Sequence, residues 1–215
     1  MKYEHVIWDW NGTLLDDTAL SVDVFNRMAR AYGLREIDRD YYRSNFRFPV
    51  ADFYKDVGFD FDKHDFRTVG EFFISSYNSR RSECSIFSGA RELMLALKGA
   101  GISQSVLSAY RRDFLADALE KFGIAEFLDS ASGLDNIYAV SKEELGRQHI
   151  ASLKIPPEKV LMVGDTEHDF RVAKAMGADC ALMECGHNAA FRLRKLGAPT
   201  FPSFDELSDF ILSRQ

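Results

Sequence analysis

The sequence predicts an α/β protein: a Rossmann-like parallel sheet core with an inserted α-helical cap domain. Three observations predict it. Short apolar runs of strand length recur along the chain, helical patterns separate them, and the alternation fails once, between about residues 16 and 85. Strand alternating with helix gives a parallel sheet with helices on its faces. The helical stretch is most simply an insert after the first strand, a second small domain over the C-terminal edge of the sheet. The expected division is 1–15 and 86–215 for the core and 16–85 for the cap.

The first strand is "EHVIWD", 4–9, a continuous apolar run of the kind a parallel strand buried on both faces requires. The chain then breaks at Asn11-Gly12. Helical patterns follow at 17–32, 38–46, 50–57 and 63–80, rich in aromatic residues that read as the core of a small bundle. A helix over 89–100 stops at Gly99-Ala100-Gly101, and "ISQSVLSA", 102–109, is the next strand. The helix over 111–122 stops at Gly123, and a weaker run near 126–132, "EFLDSAS", is a further strand. The helix over 141–154 ends before Pro156-Pro157. "KVLMVGD", 159–165, is a strand, the helix over 167–176 stops at Gly177, and "DCALME", 179–184, is the last strand. Glycine after a helix and proline soon beyond it are ordinary stop signals.

Composition narrows the function classes. The 215 residues are 46% hydrophobic, enough for a substantial core. A net charge of −6 argues against a dominant role on nucleic acid or anionic membrane. No run of 18 apolar residues occurs, and the N-terminus lacks the long apolar segment of a secretory leader. Cys84, Cys180 and Cys185 form no CxxC pair, which fits passive thiols in a reduced cytoplasmic protein.

In open α/β sheets, ligands bind outside the carboxyl ends of the strands. The polar residues expected there are Asp9 followed by Asn11-Gly12-Thr13, then Ser108, then "GDTEHD" with Asp165 and Asp169. The helix opening with Ser141-Lys142 adds a lysine. Three carboxylates at one sheet edge repel, and a divalent cation with a preference for hard oxygen ligands, Mg²⁺, relieves this. A lysine beside them would hold a phosphate. Backbone N–H groups of the Gly12 turn can cradle an anion. Asp9 would then be the nucleophile of an aspartyl-phosphate mechanism.

Asp9-Trp10-Asn11-Gly12-Thr13, Ser108, Lys142 and "GDTEHD" resemble, in order, the four motifs of the haloacid dehalogenase (HAD) superfamily. "IFSGARELMLALKGAG", 86–101, and "VLMVGDTEHDFRVAKAMGA", 160–178, are similar to segments of its phosphoglycolate-phosphatase-like members, and the insert is similar to their α-helical cap. The resemblance implies a Mg²⁺-dependent phosphatase acting on a small phosphorylated metabolite. It implies that Asp9 attacks phosphorus and binds the metal, with the Asn11 carbonyl, Asp165 and Asp169 as further ligands. Asp169 would bind through water or orient Lys142. Gly12, Thr13 and Ser108 would bind phosphate or the nucleophile, and Lys142 would neutralise phosphoryl oxygens.

Position 11 departs from the pattern. The family's phosphatases hold an aspartic acid there, which protonates the leaving oxygen and then activates water. Asparagine donates a hydrogen bond but does not exchange a proton usefully. His168, inside "GDTEHD", is the nearest candidate for a replacement proton carrier. Two alternatives carry different chemistry: a phosphonoacetaldehyde-hydrolase-like enzyme with Lys55 as Schiff base, and a non-catalytic phosphate-binding protein. Arg43, Arg47 and Lys55 are the cap cations that could meet an anionic substrate.

Overall fold

The computed structural model describes residues 2–135 and 141–213. The expected core range, 1–15 and 86–215, therefore includes Met1, 136–140 and 214–215, which lie outside the described residues. Strands are β1 (His5–Trp8), β2 (Leu15–Asp16), β3 (Ser85–Ile86), β4 (Ser103–Arg111), β5 (Ser130–Leu134), β6 (Val160–Gly164), β7 (Asp179–Met183) and β8 (Thr200–Phe201). Helices are α1 (Thr18–Ala31), α2 (Arg39–Asn45), α3 (Val50–Val57), α4 (Phe66–Arg80), α5 (Ala90–Gly99), α6 (Arg112–Lys121), α7 (Lys142–Leu153), α8 (Glu167–Met176), α9 (Ala190–Leu193) and α10 (Phe204–Leu212).

Six strands form one parallel sheet in the order β5-β4-β1-β6-β7-β8. The chain leaves β1 for β4 on one side and returns to β6 on the other. β1 therefore marks the point where strand order reverses, and β4, β1 and β6 are neighbours. Every residue of β1 and β6 is buried. Alternate side chains feed opposite layers: Val6 and Trp8 join one apolar cluster, and Ile7 joins the other with Leu107 and Met162. Trp8 donates its indole N–H to Gln104 on β4 at 3.1 Å, so burying it leaves no polar atom unpaired.

Helices α1 to α4 occupy the interval between β1 and the rest of the sheet. Phe25, Phe53, Tyr54 and Val69 make their common core, with Phe25 and Phe53 ring centroids 5.4 Å apart. The sequence missed the neck of this insert. Leu15–Asp16 and Ser85–Ile86 pair antiparallel, Leu15 opposite Ile86, closing the two crossings of the chain. Two-residue strands carry no readable period, which is why this ribbon is invisible in the sequence. The run near 126–132 begins as a turn of 3₁₀ helix, Ala125–Phe127, and its strand starts at Ser130. The edge strand β8 and helices α9 and α10 were also not anticipated.

The three cysteines are unpaired and half-buried, and burial pushes the Cys84 and Cys185 thiols up to about 12. Behind the sheet edge, His5 is buried between Ser103 and Ser105, at 2.6 and 2.7 Å from its two ring nitrogens, and Ser105 also meets His149 at 2.7 Å. Burial, with His149 nearby, lowers the His5 pKa to about 4. An unfolded imidazole titrates near 6.5. The unfolded chain therefore takes up this proton first, so the His5 contribution to stability is full above about pH 6.5 and is lost as pH falls from there to about 4. We expect the urea midpoint of the wild type, relative to that of His5→Gln, to fall as pH is lowered across this window. An unchanged slope in the variant would remove His5 from the acid sensitivity.

Candidate active site

Asp9 follows β1, Ser108 lies on β4 and Asp165 follows β6. Because these strands are adjacent, the three side chains reach one edge. The backbone locks this arrangement: the Asp9 N–H donates to Val163 on β6 at 2.8 Å. Asp169 arrives by a different route. Thr166 caps α8 and forms a reciprocal capping box with Asp169, whose Oδ2 accepts from the Thr166 N–H at 3.0 Å and the Thr166 hydroxyl at 2.7 Å. Lys142 opens α7, whose cap is Ser141.

These residues meet in a buried cluster. Ligand oxygens of Asp9, Asp165 and Asp169 lie within 4.8 Å of one another. The Lys142 ammonium donates to Asp9 Oδ1 and, at 2.6 Å, to Asp169 Oδ1. Thr13 donates to Asp165 Oδ1 at 2.8 Å and makes a long contact of 3.5 Å with Asp9 Oδ2. The His187 N–H donates to Asp165 Oδ2 at 2.6 Å. Asp9 Oδ2 is thus the least engaged oxygen of the three carboxylates. Ser108 is buried at the same edge, its Oγ accepting from the Tyr110 N–H at 3.1 Å.

Gly12 belongs to the turn that brings Thr13 back. Its φ is +77°, and a Cβ there would lie 2.4 Å from Asp165 Oδ2. Gly186 is as tight, since its Cβ would lie 2.2 Å from the same oxygen. Both positions need glycine so that backbone can close on a carboxylate.

The electrostatics describe an incomplete charge balance. Burial, reinforced by Asp169 and Asp165, pushes the Asp9 carboxyl up to about 8 despite the pull of Lys142. Burial also raises Asp165 to about 6. Burial opposes ionisation of Asp169 too, but Lys142 and Thr166 hold its pKa below the ordinary carboxylate range. Lys142 stays charged because Asp169 and Asp9 outweigh its burial. One ammonium ion does not offset three buried carboxylates, and every donor atom is a hard oxygen. The residues present therefore fit a divalent cation. The two Asp169 oxygens are already filled by Lys142 and by the Thr166 cap, an arrangement that suits orientation of the lysine.

A second polar cluster adjoins the first. Asp17 is buried, and its carboxylate accepts from the Gly12 N–H at 2.8 Å, the Asn11 amide at 2.8 Å and the Tyr77 hydroxyl at 2.6 Å. His187 faces it at 3.2 Å. Burial disfavours the imidazolium, but Asp17 raises the His187 pKa to about 9. Burial likewise opposes ionisation of Asp17, and His187, Tyr77 and Asn11 together hold its pKa down. The Asn11 amide also donates to Tyr77 at 2.8 Å, so both of its hydrogens are used. His187 reaches Tyr42 of α2 at 3.1 Å. Asp17, Tyr77 and His187 were not singled out from the sequence. The available signal was "CGHN" directly after the strand at 179–184, at the same sheet edge as Asp165.

Above both clusters a cavity of about 690 Å³ runs from Asp9 into the helical insert. His168 lines it, and burial lowers its pKa to about 4. The three cap cations do not line it. Arg43 donates to the Gly186 and Asn188 carbonyls, Arg47 pairs with Asp56, and Lys55 is exposed.

Residues 6–183 match the model of the family described as haloacid dehalogenase-like hydrolase. The chain is similar to the N-acetylmuramic acid 6-phosphate phosphatase of Pseudomonas aeruginosa, 25% identical over 197 residues, covering 87% of this chain and 84% of that protein. It is similar to a phosphoglycolate phosphatase of Pseudomonas fluorescens over a shorter span, 24% identical over 119 residues, 55% of this chain and 44% of that one. A haloacid dehalogenase-like family hydrolase from Streptococcus pneumoniae shares the fold with a TM-score of 0.85 at 17% identity, covering 98% of this chain and 99% of that one. No described helix is long and apolar enough to cross a membrane. The family match runs from β1 to the end of β7 and so takes in both carboxylate-bearing strand ends: the chain belongs to the haloacid dehalogenase-like hydrolases and is a phosphatase-like enzyme.

Proposed function

We propose that this is a Mg²⁺-dependent phosphomonoester phosphatase acting through an aspartyl-phosphate on a small phosphorylated metabolite in the cytoplasm. The observation that carries the reading is the Lys142 ammonium held between Asp9 and Asp169 on the floor of the cavity, with Asp165 in the same buried cluster. Asp9, Asp165 and the Asn11 carbonyl would hold the ion, and Asp169 completes the set through water or by aiming Lys142. When bound, Mg²⁺ neutralises the carboxylates and the phosphoryl oxygens. Asp9 Oδ2 attacks phosphorus, and the ester P–O bond breaks with its electron pair on the leaving oxygen. Lys142 and Ser108 hold the phosphoryl oxygens; the Gly12 N–H, expected to join them, is committed to Leu15 and Asp17. Water then attacks the aspartyl-phosphate and frees inorganic phosphate and the Asp9 carboxylate; the proton that water releases balances the leaving alkoxide. The helices at 16–85 act as the cap that excludes bulk water. Lys55 is exposed and away from the cavity, which weighs against Schiff-base chemistry.

Asp9→Asn should lower turnover by at least about 10³-fold with the fold intact, because the covalent route is lost. Phosphate release at saturating Mg²⁺ and trapping by beryllofluoride measure this, and retention of most activity would mean that water attacks directly.

Protons compete with the metal for Asp9 and Asp165, whose carboxyls are raised to about 8 and about 6. Mg²⁺ affinity should therefore tighten as pH rises from 6 to 8, by up to about tenfold per unit for each proton displaced, and level off above 8. Calorimetric titration at pH 6, 7 and 8 checks this. A flat series would place the ion elsewhere.

Asn11→Asp brings a second carboxyl against Asp17, so the pair should retain a shared proton at neutral pH. We expect a rise of about 10²-fold on alkyl phosphates, the lower end of general-acid catalysis, with a smaller change on aryl phosphates and some loss of stability. Reduced turnover on every substrate would mean that the amide has another task in the reaction.

A further inference from the structure

We propose that the preferred substrates are aryl phosphates: monoesters of a phenol that carries a bulky, uncharged apolar body. The inference rests on the phosphatase reading and names its substrate class. Two independent features support it.

The first is the cavity. At about 690 Å³ it falls in the range of roughly 300–1,000 Å³ that envelops a ligand of drug size, and its walls are mostly carbon. Phe25, Phe53, Phe66, Phe73 and Ile74 line the part inside the helical insert. No lysine or arginine of the insert lines it among the described residues, since Arg43 is spent on core carbonyls, Arg47 on Asp56, and Lys55 faces solvent. Arg171, the remaining lining guanidinium, is an exposed residue of α8. A leaving group with its own carboxylate or second phosphate would lose its hydration without a partner in that interior. A sugar would give up hydration against walls that are mostly carbon. An aromatic body loses little and gains apolar contact.

The second feature is the amide. Both hydrogens of the Asn11 amide are committed, one to Asp17 and one to Tyr77. Nothing at that position protonates the leaving oxygen. An alkoxide is about as basic as hydroxide, the anion of water with a pKa near 15.7, whereas a phenol of the tyrosine kind ionises near 10. A phenolate departs with the electron pair of the broken P–O bond and collects its proton from solvent afterwards. The lost acid thus costs little for this leaving group and much for an alkyl one.

The test is a panel of kcat/KM values with purified protein and Mg²⁺: phenyl, 2-naphthyl, phenethyl and dodecyl phosphate, phosphoglycolate and glucose 6-phosphate. Naphthyl should exceed phenyl by at least about tenfold, chiefly through KM, as a second ring is buried. Phenyl should exceed phenethyl by about 10²-fold in kcat/KM, which reports formation of the aspartyl-phosphate common to both, because only phenethyl needs the absent acid in that step. Gly70 lines the cavity from the middle of α4, and a Cβ there meets nothing within 4 Å. Gly70→Leu fills the cavity while favouring helix, so it should fold and lower the naphthyl-to-phenyl ratio. If phosphoglycolate or the sugar phosphate surpasses naphthyl phosphate, the substrate class is wrong and the phosphatase reading stands. If dodecyl phosphate equals naphthyl phosphate, the alcohol is a lipid and the phenol is wrong. If no ester is hydrolysed with Mg²⁺, the phosphatase reading itself fails.

Discussion

Three buried carboxylates crowd one ammonium ion that reaches only two of them, and much of the molecule is arranged to make that tolerable. Parallel strands β1 and β6 bring Asp9 and Asp165 to one edge beside Ser108 of β4, and the crevice for a ligand opens there because strand order reverses at β1. The charges then need local donors. Thr13, Thr166 and the His187 backbone each hold one carboxylate oxygen, while Gly12 and Gly186 let the main chain approach closely enough to enclose Asp165. What remains uncompensated is concentrated on Asp9, the group with the least engaged oxygen.

The amide at position 11 has a structural explanation in its neighbour. Asp17 is ionised, buried and paired with His187, so it presents an acceptor-only surface to Asn11 and Tyr77. An amide fits there as a donor. A carboxylate would face another carboxylate. The pair also joins two parts of the chain, since Asp17 and Tyr77 belong to the helical insert while His187 follows β7 and touches Tyr42 of α2. Arg43 and Arg192 reinforce this junction: Arg43 donates to the Gly186 carbonyl at 2.8 Å, and Arg192 donates to Phe46 at 2.7 Å. The helical insert is therefore tied to the sheet edge at the side of β7.

The sheet and its order of elements were largely legible, because β1, β4, β6 and β7 are uninterrupted apolar runs and the helices between them end in glycine or proline. The carboxylates were legible because each stands at the end of such a run. Asp17 was not, since an acid just before a helix reads as an ordinary cap, although its side chain makes no capping bond to α1. His187 was not, because its partner is 170 residues away in sequence and the loop carrying it has no periodicity. The aromatics of the insert read as bundle core, and Phe25 and Phe53 are core residues that also form cavity wall. Sequence spacing does not separate those two duties.

The hydrogen bonds around Asn11 also bear on how long the molecule lasts. Asn11-Gly12 is the chain's only Asn-Gly step, the dipeptide most given to spontaneous deamidation. That reaction needs the Gly12 nitrogen to swing onto the Asn11 side-chain carbonyl and close a succinimide ring. Here the Gly12 N–H is held by the Leu15 carbonyl at 2.9 Å and by Asp17 at 2.8 Å, and the amide nitrogen that would leave as ammonia is held by Asp17 and Tyr77. Ring closure requires all of these contacts to break together. The folded state thus guards its most perishable bond, and chemical ageing at this step belongs to chains that have unfolded around it.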